Sequence, residues 1–316
     1  MSPELCPQNS RTMAKTKLIY SEKYRVDIGA HVFPTEKYGL IKKKLIKQGL
    51  FKEDDFLSPP MPDEKDVLSV HTEEYLNKLK EGKLSMMEIL TMELPYSPEL
   101  LEASLLCVGG TIQACRNAIE SGLGIHIGGG FHHAFPDHGE GFCVLNDIAC
   151  GIRHLQGAKK IVKALIVDCD LHHGNGTAYT FKEDRNVFTF SIHQENNYPA
   201  IKPPSDMDIG LADGTGDEEY LGKLKENIPE IISSFQPELV LFVAGADPYE
   251  RDQIGGLSLT IEGLKKRDEL VIDWAKDANI PLCIVLAGGY AFEVSDTVDI
   301  HCNTIGTAIN VFSKKS

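Results

Sequence analysis

Ala164-Leu165-Ile166-Val167 runs without a break into Asp168-Cys169-Asp170-Leu171-His172-His173-Gly174-Asn175-Gly176. A short aliphatic run that ends in carboxylates, imidazoles and glycines reads as a buried strand carrying polar groups to the edge of a sheet. Asp168, Asp170 and His172 are spaced by two, so an extended chain turns all three to one side. Two carboxylates and an imidazole grouped in that way suit a metal ion, Zn²⁺ first and Fe²⁺ or Mn²⁺ less decisively. Taken alone, the segment also fits an N-cap and turn at a strand-to-helix junction.

The same pattern repeats outward in both directions. Apolar runs at 17–20, 124–127, 187–192, 239–244 and 281–286 read as further strands, and amphipathic stretches at 36–48, 98–120, 146–156, 218–234, 261–276 and 296–312 read as helices. Alternation of this kind predicts a single-domain, three-layer αβα fold of the α/β class, with a mostly parallel central sheet. Ligands in such folds sit beyond the carboxyl ends of the strands. The polar motifs fall at that edge. Gly128-Gly129-Gly130-Phe131-His132-His133 follows one run, Ser191-Ile192-His193 closes another, and Gly245-Ala246-Asp247 and Gly288-Gly289-Tyr290 follow two more.

Tandem imidazoles in a glycine-rich loop suit proton transfer, because each ring exchanges a proton near neutral pH once it is oriented. Asp247, ending its own strand at the same edge, would complete an Asp, His, Asp ligand set and leave positions open for water and substrate, as catalytic metal sites require. A phenol at Tyr290, after two glycines, can polarise a carbonyl and stabilise the oxyanion formed on attack.

Composition narrows the function classes. The 316 residues show no linker-like break, so the expectation is one domain over 14–316 after a disordered segment at 1–13. A net charge of −14 without clustered Lys and Arg argues against nucleic-acid binding and favours a lysine-rich partner. Eight cysteines without CxxC spacing read as free thiols in a reducing compartment. No run approaches 18 apolar residues and residues 1–13 lack a secretory signal, which points to a soluble, cytoplasmic protein with no membrane association.

With these motifs assembled, the chain resembles the zinc-dependent histone deacetylases of the arginase-deacetylase superfamily over about residues 20–309. Asp206-Met207-Asp208-Ile209-Gly210-Leu211, Gly214-Thr215-Gly216-Asp217 and Gly255-Gly256-Leu257-Ser258 are most similar to class IV and its bacterial relatives. The resemblance implies Asp170, His172 and Asp247 as Zn²⁺ ligands, His132 and His133 as the acid-base pair, Tyr290 as oxyanion donor, and Asp168 as the group that orients His132. It implies an acyl-lysine tunnel at Gly141 and Phe142, with loop shape around Tyr198 and Ile254 setting acyl length and Gly288 and Gly289 beside Tyr290. It also implies a structural monovalent cation, usually K⁺, near Asp168, Ser191 and the backbone of Asp170, His172 and Ile192.

One residue departs from most of the family: Asn175 stands where other branches carry a second aspartate paired to the second histidine. An amide can orient His133 but cannot stabilise an imidazolium as a carboxylate does. The expectation is therefore that His133 stays neutral as base while His132 is more readily charged. The implied reaction is removal of acetyl or longer acyl groups from lysine ε-amines in proteins or peptides, histone tails among them. Two alternatives stand beside it, an acetylpolyamine amidohydrolase with a different rim, for which 93–99 and 194–204 are the rim segments, and a non-catalytic acyl-lysine reader. The oligomeric state is not readable from these residues.

Overall fold

The computed structural model describes residues 16–314. The chain opens with β1 (Leu18–Ile19), α1 (Lys37–Lys47) and β2 (Phe56–Leu57), then three short helices, α2 (Glu64–Leu68), α3 (Glu73–Glu81) and α4 (Met86–Met92). The long helix α5 (Pro98–Ser121) leads into β3 (Leu123–His126), α6 (Asp147–Gly157), β4 (Ala164–Asp168) and α7 (Asn175–Phe181). After β5 (Val187–Gln194) and β6 (Met207–Leu211) come α8 (Asp217–Phe235), β7 (Leu239–Val243), α9 (Ile261–Asp277), β8 (Leu282–Val285) and α10 (Val294–Ser313). The expected disordered segment 1–13 and Cys6 lie outside the described residues.

Local signals explain where the long helices begin and end. The Ser97 hydroxyl accepts the Leu100 N–H ahead of Pro98 at the first turn of α5, and Gly122 closes the helix in the left-handed region at φ 89°. Thr260 caps α9 in the same way, through the Gly263 N–H.

The strands form one sheet of eight in the order β2-β1-β3-β8-β7-β4-β5-β6. Every neighbouring pair is parallel, so the sheet is wholly rather than mostly parallel. β3, β4, β7 and β8 are buried along their whole length, as expected for a parallel sheet covered on both faces. On one side α5 packs with α6 and over β3 and β8; α10 joins α1 and α9, and α9 joins α8.

Several expectations are corrected. Ser191-Ile192-His193 lies inside β5, which runs on to Gln194, two residues past the expected end of the strand at 192. Strands β2 and β6 and helices α2, α3, α4 and α7 were not anticipated. β6 is the last strand of the sheet, and its partly exposed, polar-interrupted sequence Met207-Asp208-Ile209-Gly210-Leu211 hides the strand signal.

Strand order positions the site. β3 and β4 are consecutive in the chain but are separated in the sheet by β8 and β7. The loops leaving these four adjacent strand ends therefore converge over the centre of the sheet.

Candidate active site

The loop after β3 is shaped by close backbone contact. Gly130 adopts φ 86°, and a Cβ there would lie 2.6 Å from Ala287 Cα in the loop after β8, so only glycine fits. The carboxylate of Asp147, at the start of α6, accepts the N–H groups of Gly130 (3.1 Å) and Phe131 (2.8 Å) and the Thr111 hydroxyl. This anchor presents His132 and His133 side by side, ring centroids 4.2 Å apart and both buried.

The two rings have different partners. His132 Nδ1 lies 2.7 Å from Asp168 Oδ2 at the end of β4, while Nε2 is 3.6 Å from Asp170 Oδ1. Burial alone would lower the pKa of His132, but the charges of Asp168 and Asp170 outweigh it and raise it to about 9. His133 Nδ1 lies 2.7 Å from Asn175 Oδ1 at the first turn of α7. Burial and the neighbouring His132 and His172 hold His133 well below the ordinary imidazole range. One ring is thus disposed to carry a proton at neutral pH and the other to remain neutral.

Asp170, His172 and Asp247 form a buried triplet whose ligand atoms lie within 4.8 Å of one another. His172 Nδ1 sits 3.3 Å from Asp170 Oδ1 and 3.2 Å from Asp247 Oδ2. The opposite carboxylate oxygens are held by backbone N–H groups, Gly288 on Asp170 Oδ2 (2.9 Å) and Leu171 on Asp247 Oδ1 (3.0 Å). One ring N–H cannot serve two inward carboxylates, and the conflict shows in their protonation. Burial and the Asp170 charge raise Asp247 to about 7; burial opposes but the paired carboxylates raise His172 to about 10. A divalent cation in place of the shared protons resolves that conflict, and two carboxylates with one imidazole are a donor set that suits it.

Asp168 stands outside the triplet, although its spacing placed it with Asp170 and His172. Its two oxygens accept from His132 and from the Asp170 N–H (3.1 Å). Ser191 is its register partner on β5, next to Ile192, and the Ser191 hydroxyl pairs with His193 Nδ1 at 3.0 Å.

Tyr290 is held from both sides of its backbone. Its N–H donates to Asp252 Oδ2 (2.7 Å), and its carbonyl accepts from the Gln253 N–H (3.1 Å) and Gln253 Nε2 (2.8 Å). The ring packs edge-on against Phe33 and Phe142. Burial and the charges of Asp247 and Asp170 push its phenol well above the ordinary range, which keeps the O–H as a donor.

A cleft of about 180 Å³ opens above these groups, lined by Glu93, His133, Gly141, Phe142, His172, Asn197, Tyr198, Ile254 and Tyr290. Below it a smaller chamber of about 20 Å³ is bordered by His132, His133, Asp170, His172, Gly288 and Tyr290 among others. Gly141, Phe142, Tyr198 and Ile254 thus line the approach and Gly288 the chamber, while Gly289 faces Thr297 and Ala246. Gly141 (φ 50°) has no room for a side chain, since a Cβ would lie 2.8 Å from Tyr198 Cε1 and 2.9 Å from His133 Cδ2.

Sequence reasoning missed two supporting cations. Lys37 reads as the polar face of α1, yet it is fully buried. Its ammonium donates to Ala287 O (2.8 Å) among the rings of Phe33, Tyr38 and Tyr290. Arg267 on α9 is also buried and donates to Gly245 O (2.5 Å) and Cys169 O (3.2 Å), tying together the two loops that carry the metal-type carboxylates. Neither has a sequence signal beyond a charge within an amphipathic helix.

Among the described residues no helix is long and apolar enough to cross a membrane. The family model for the histone deacetylase domain matches residues 31–305. The chain is 38% identical over 271 residues to an uncharacterized protein of Picosynechococcus, covering 86% of this chain and 90% of that one. It is 33% identical to histone deacetylase 2 of Arabidopsis thaliana over 91% of this chain and 79% of the relative. It is 30% identical to the acetoin utilization protein AcuC of Bacillus subtilis, over 79% of this chain and 70% of the relative.

Proposed function

Because the chain belongs to the histone deacetylase family, we propose that it is a zinc-dependent lysine deacylase of class IV type, acting on acetyl or longer acyl groups on lysine side chains of proteins or peptides. The observation that carries the reading is the meeting of the Asp170, His172 and Asp247 triplet with His133 and Tyr290 at one cleft. Asp170, His172 and Asp247 would hold Zn²⁺, which when bound supplies Lewis acidity toward the acyl carbonyl and toward water.

The chain's own groups do the rest. His133, neutral and hydrogen-bonded to Asn175 through Nδ1, offers its other nitrogen as base to the attacking water. The Tyr290 phenol donates to the oxygen that gains charge on attack. His132, held charged by Asp168, donates its proton to the leaving amine, giving free lysine and a carboxylate. A K⁺ near Asp168 and Ser191 and a cytoplasmic setting, which suits the buried free thiols, belong to the same reading.

A second reading, hydrolysis of acetylpolyamines, rests on Glu93 at the cleft, an acidic group suited to a cationic substrate. The discriminating experiment presents the zinc-loaded protein with acetyl-, hexanoyl-, decanoyl- and myristoyl-lysine peptides and with N-acetylputrescine. Turnover of a peptide class supports the proposal, and turnover of N-acetylputrescine alone supports the second reading. Binding of peptides without turnover would make the protein an acyl-lysine reader.

A further inference from the structure

The substitution of an amide at position 175 leaves open what fixes that amide. Asn175 is buried, and its side chain could present either its oxygen or its NH₂ to His133. The neighbour on the far side decides. Asn175 Nδ2 donates to Glu140 Oε1 at 2.7 Å, and an ionised carboxylate can only accept. The NH₂ is thereby committed to Glu140, and the amide oxygen is turned toward His133 Nδ1, 2.7 Å away. An amide oxygen also only accepts, so the His133 hydrogen must sit on Nδ1 and the Nε2 lone pair is left free.

We propose that Glu140 is a positioning residue for His133, acting one amide removed: it orients Asn175 so that His133 is held as the Nδ1–H tautomer, with Nε2 available as base. Without that carboxylate, Asn175 can turn its NH₂ toward His133, which requires the lone pair on Nδ1 and moves the hydrogen to Nε2. In that tautomer Nε2 cannot accept a proton. The role of base rests on the hydrolase reading above; the tautomer does not.

Glu140 is built to stay an ionised acceptor. The Tyr198 hydroxyl donates to the same Oε1 at 3.0 Å, and His138 Nε2 lies 3.4 Å from Oε2. Burial works against ionisation, but the bonds from His138, Asn175 and Tyr198 prevail and hold the carboxyl below the ordinary range. Its backbone is fixed by reciprocal hydrogen bonds with Cys143 (3.0 and 2.8 Å). Tyr198 also packs edge-on against the His133 ring, centroids 5.1 Å apart, so the cleft wall and the ring share one anchor.

The test uses zinc-loaded protein with ¹⁵N-labelled histidine, reading the His133 tautomer by long-range ¹H–¹⁵N correlation in wild type, Glu140→Ala and the near-isosteric Glu140→Gln. Wild type should show Nδ1–H, and both variants a mixture with Nε2–H. In turnover, kcat should fall roughly tenfold to a hundredfold with KM little changed, the scale typical of an outer partner that orients a functional ring. In an Asn175→Asp background, where a carboxylate meets His133 directly, Glu140→Ala should cost nothing or raise kcat. A tautomer unchanged in both variants, or an equal loss in both backgrounds, overturns the proposal. A wild type inactive on acyl-lysine refutes the hydrolase reading, and the tautomer measurement still decides this one.

Discussion

His132 and Asp168 stand 2.7 Å apart, Nδ1 to Oδ2, and both are buried. That contact separates the electrostatics of two adjacent imidazoles, since His133, one residue on, has the neutral amide of Asn175 as its hydrogen-bond partner in place of a carboxylate. Replacing Asp168 with Asn removes the larger of the two charges that oppose burial and leaves Asp170 in place. In metal-free protein, NMR titration should show His132 changing charge near pH 9 in wild type and at a clearly lower pH in Asp168→Asn. If the two titrate alike, Asp168 does not set the asymmetry. With the ring less readily charged and no longer oriented through Nδ1, the variant is a poorer proton donor to the leaving amine, and kcat should fall about 10²- to 10⁴-fold.

Tyr290→Phe keeps the ring packed on Phe33 and Phe142 and removes only the donor. The expected loss is about 10²- to 10³-fold in kcat with Tm nearly unchanged, the range for one oxyanion donor. Near-normal turnover would take Tyr290 out of the chemistry.

Metal binding should release protons. Without the ion His172 holds its proton up to about pH 10 and Asp247 titrates near 7, so loading at pH 7 should expel about one to two protons. Calorimetry in buffers of different ionisation enthalpy measures that number directly, and zero released protons would contradict the assigned ligands. A thousandfold excess of Zn²⁺ over Kd should stabilise wild type by about 4 kcal/mol. Asp247→Asn should lose that gain.

Acid should destabilise the fold through His71. Its Nε2 accepts the Asn146 N–H at 2.9 Å at the start of α6, which requires the neutral ring, and burial pushes its pKa down from 6.5 to about 4. Between those values the unfolded chain binds the proton and the folded chain does not. The contribution is therefore complete above pH 6.5 and is lost as pH falls toward 4. His71→Gln, which does not titrate, should flatten the acid limb of stability against pH by up to about 1.4 kcal/mol per pH unit. Parallel curves would refute the assignment.

The sequence was legible wherever one physical signal dominated. α5 announces itself through a long helical period that begins at Pro98, and the central strands through unbroken aliphatic runs that end in chemistry-bearing residues. The short helix α7 was hidden because Gly174, Asn175 and Gly176 read as loop. Spacing alone grouped Asp168 with Asp170 and His172, but the chain leaves strand geometry after Asp168, which turns to His132. Lys37, Asp147, Arg267 and Glu140 carry no local signal, because each gains its role from partners far away in the chain, such as Ala287 for Lys37 and Asn175 for Glu140.

The central claim is that these groups form a metal-dependent acyl-lysine hydrolase. Its most direct test is mass-spectrometric detection of free lysine in an acyl-lysine peptide incubated with chelator-stripped protein, before and after adding back one equivalent of Zn²⁺. The account predicts no release from stripped protein, recovery on reloading, and loss of that recovery in Asp247→Asn. Release that is indifferent to zinc, or no release from any acyl-lysine peptide by fully loaded protein, would contradict it.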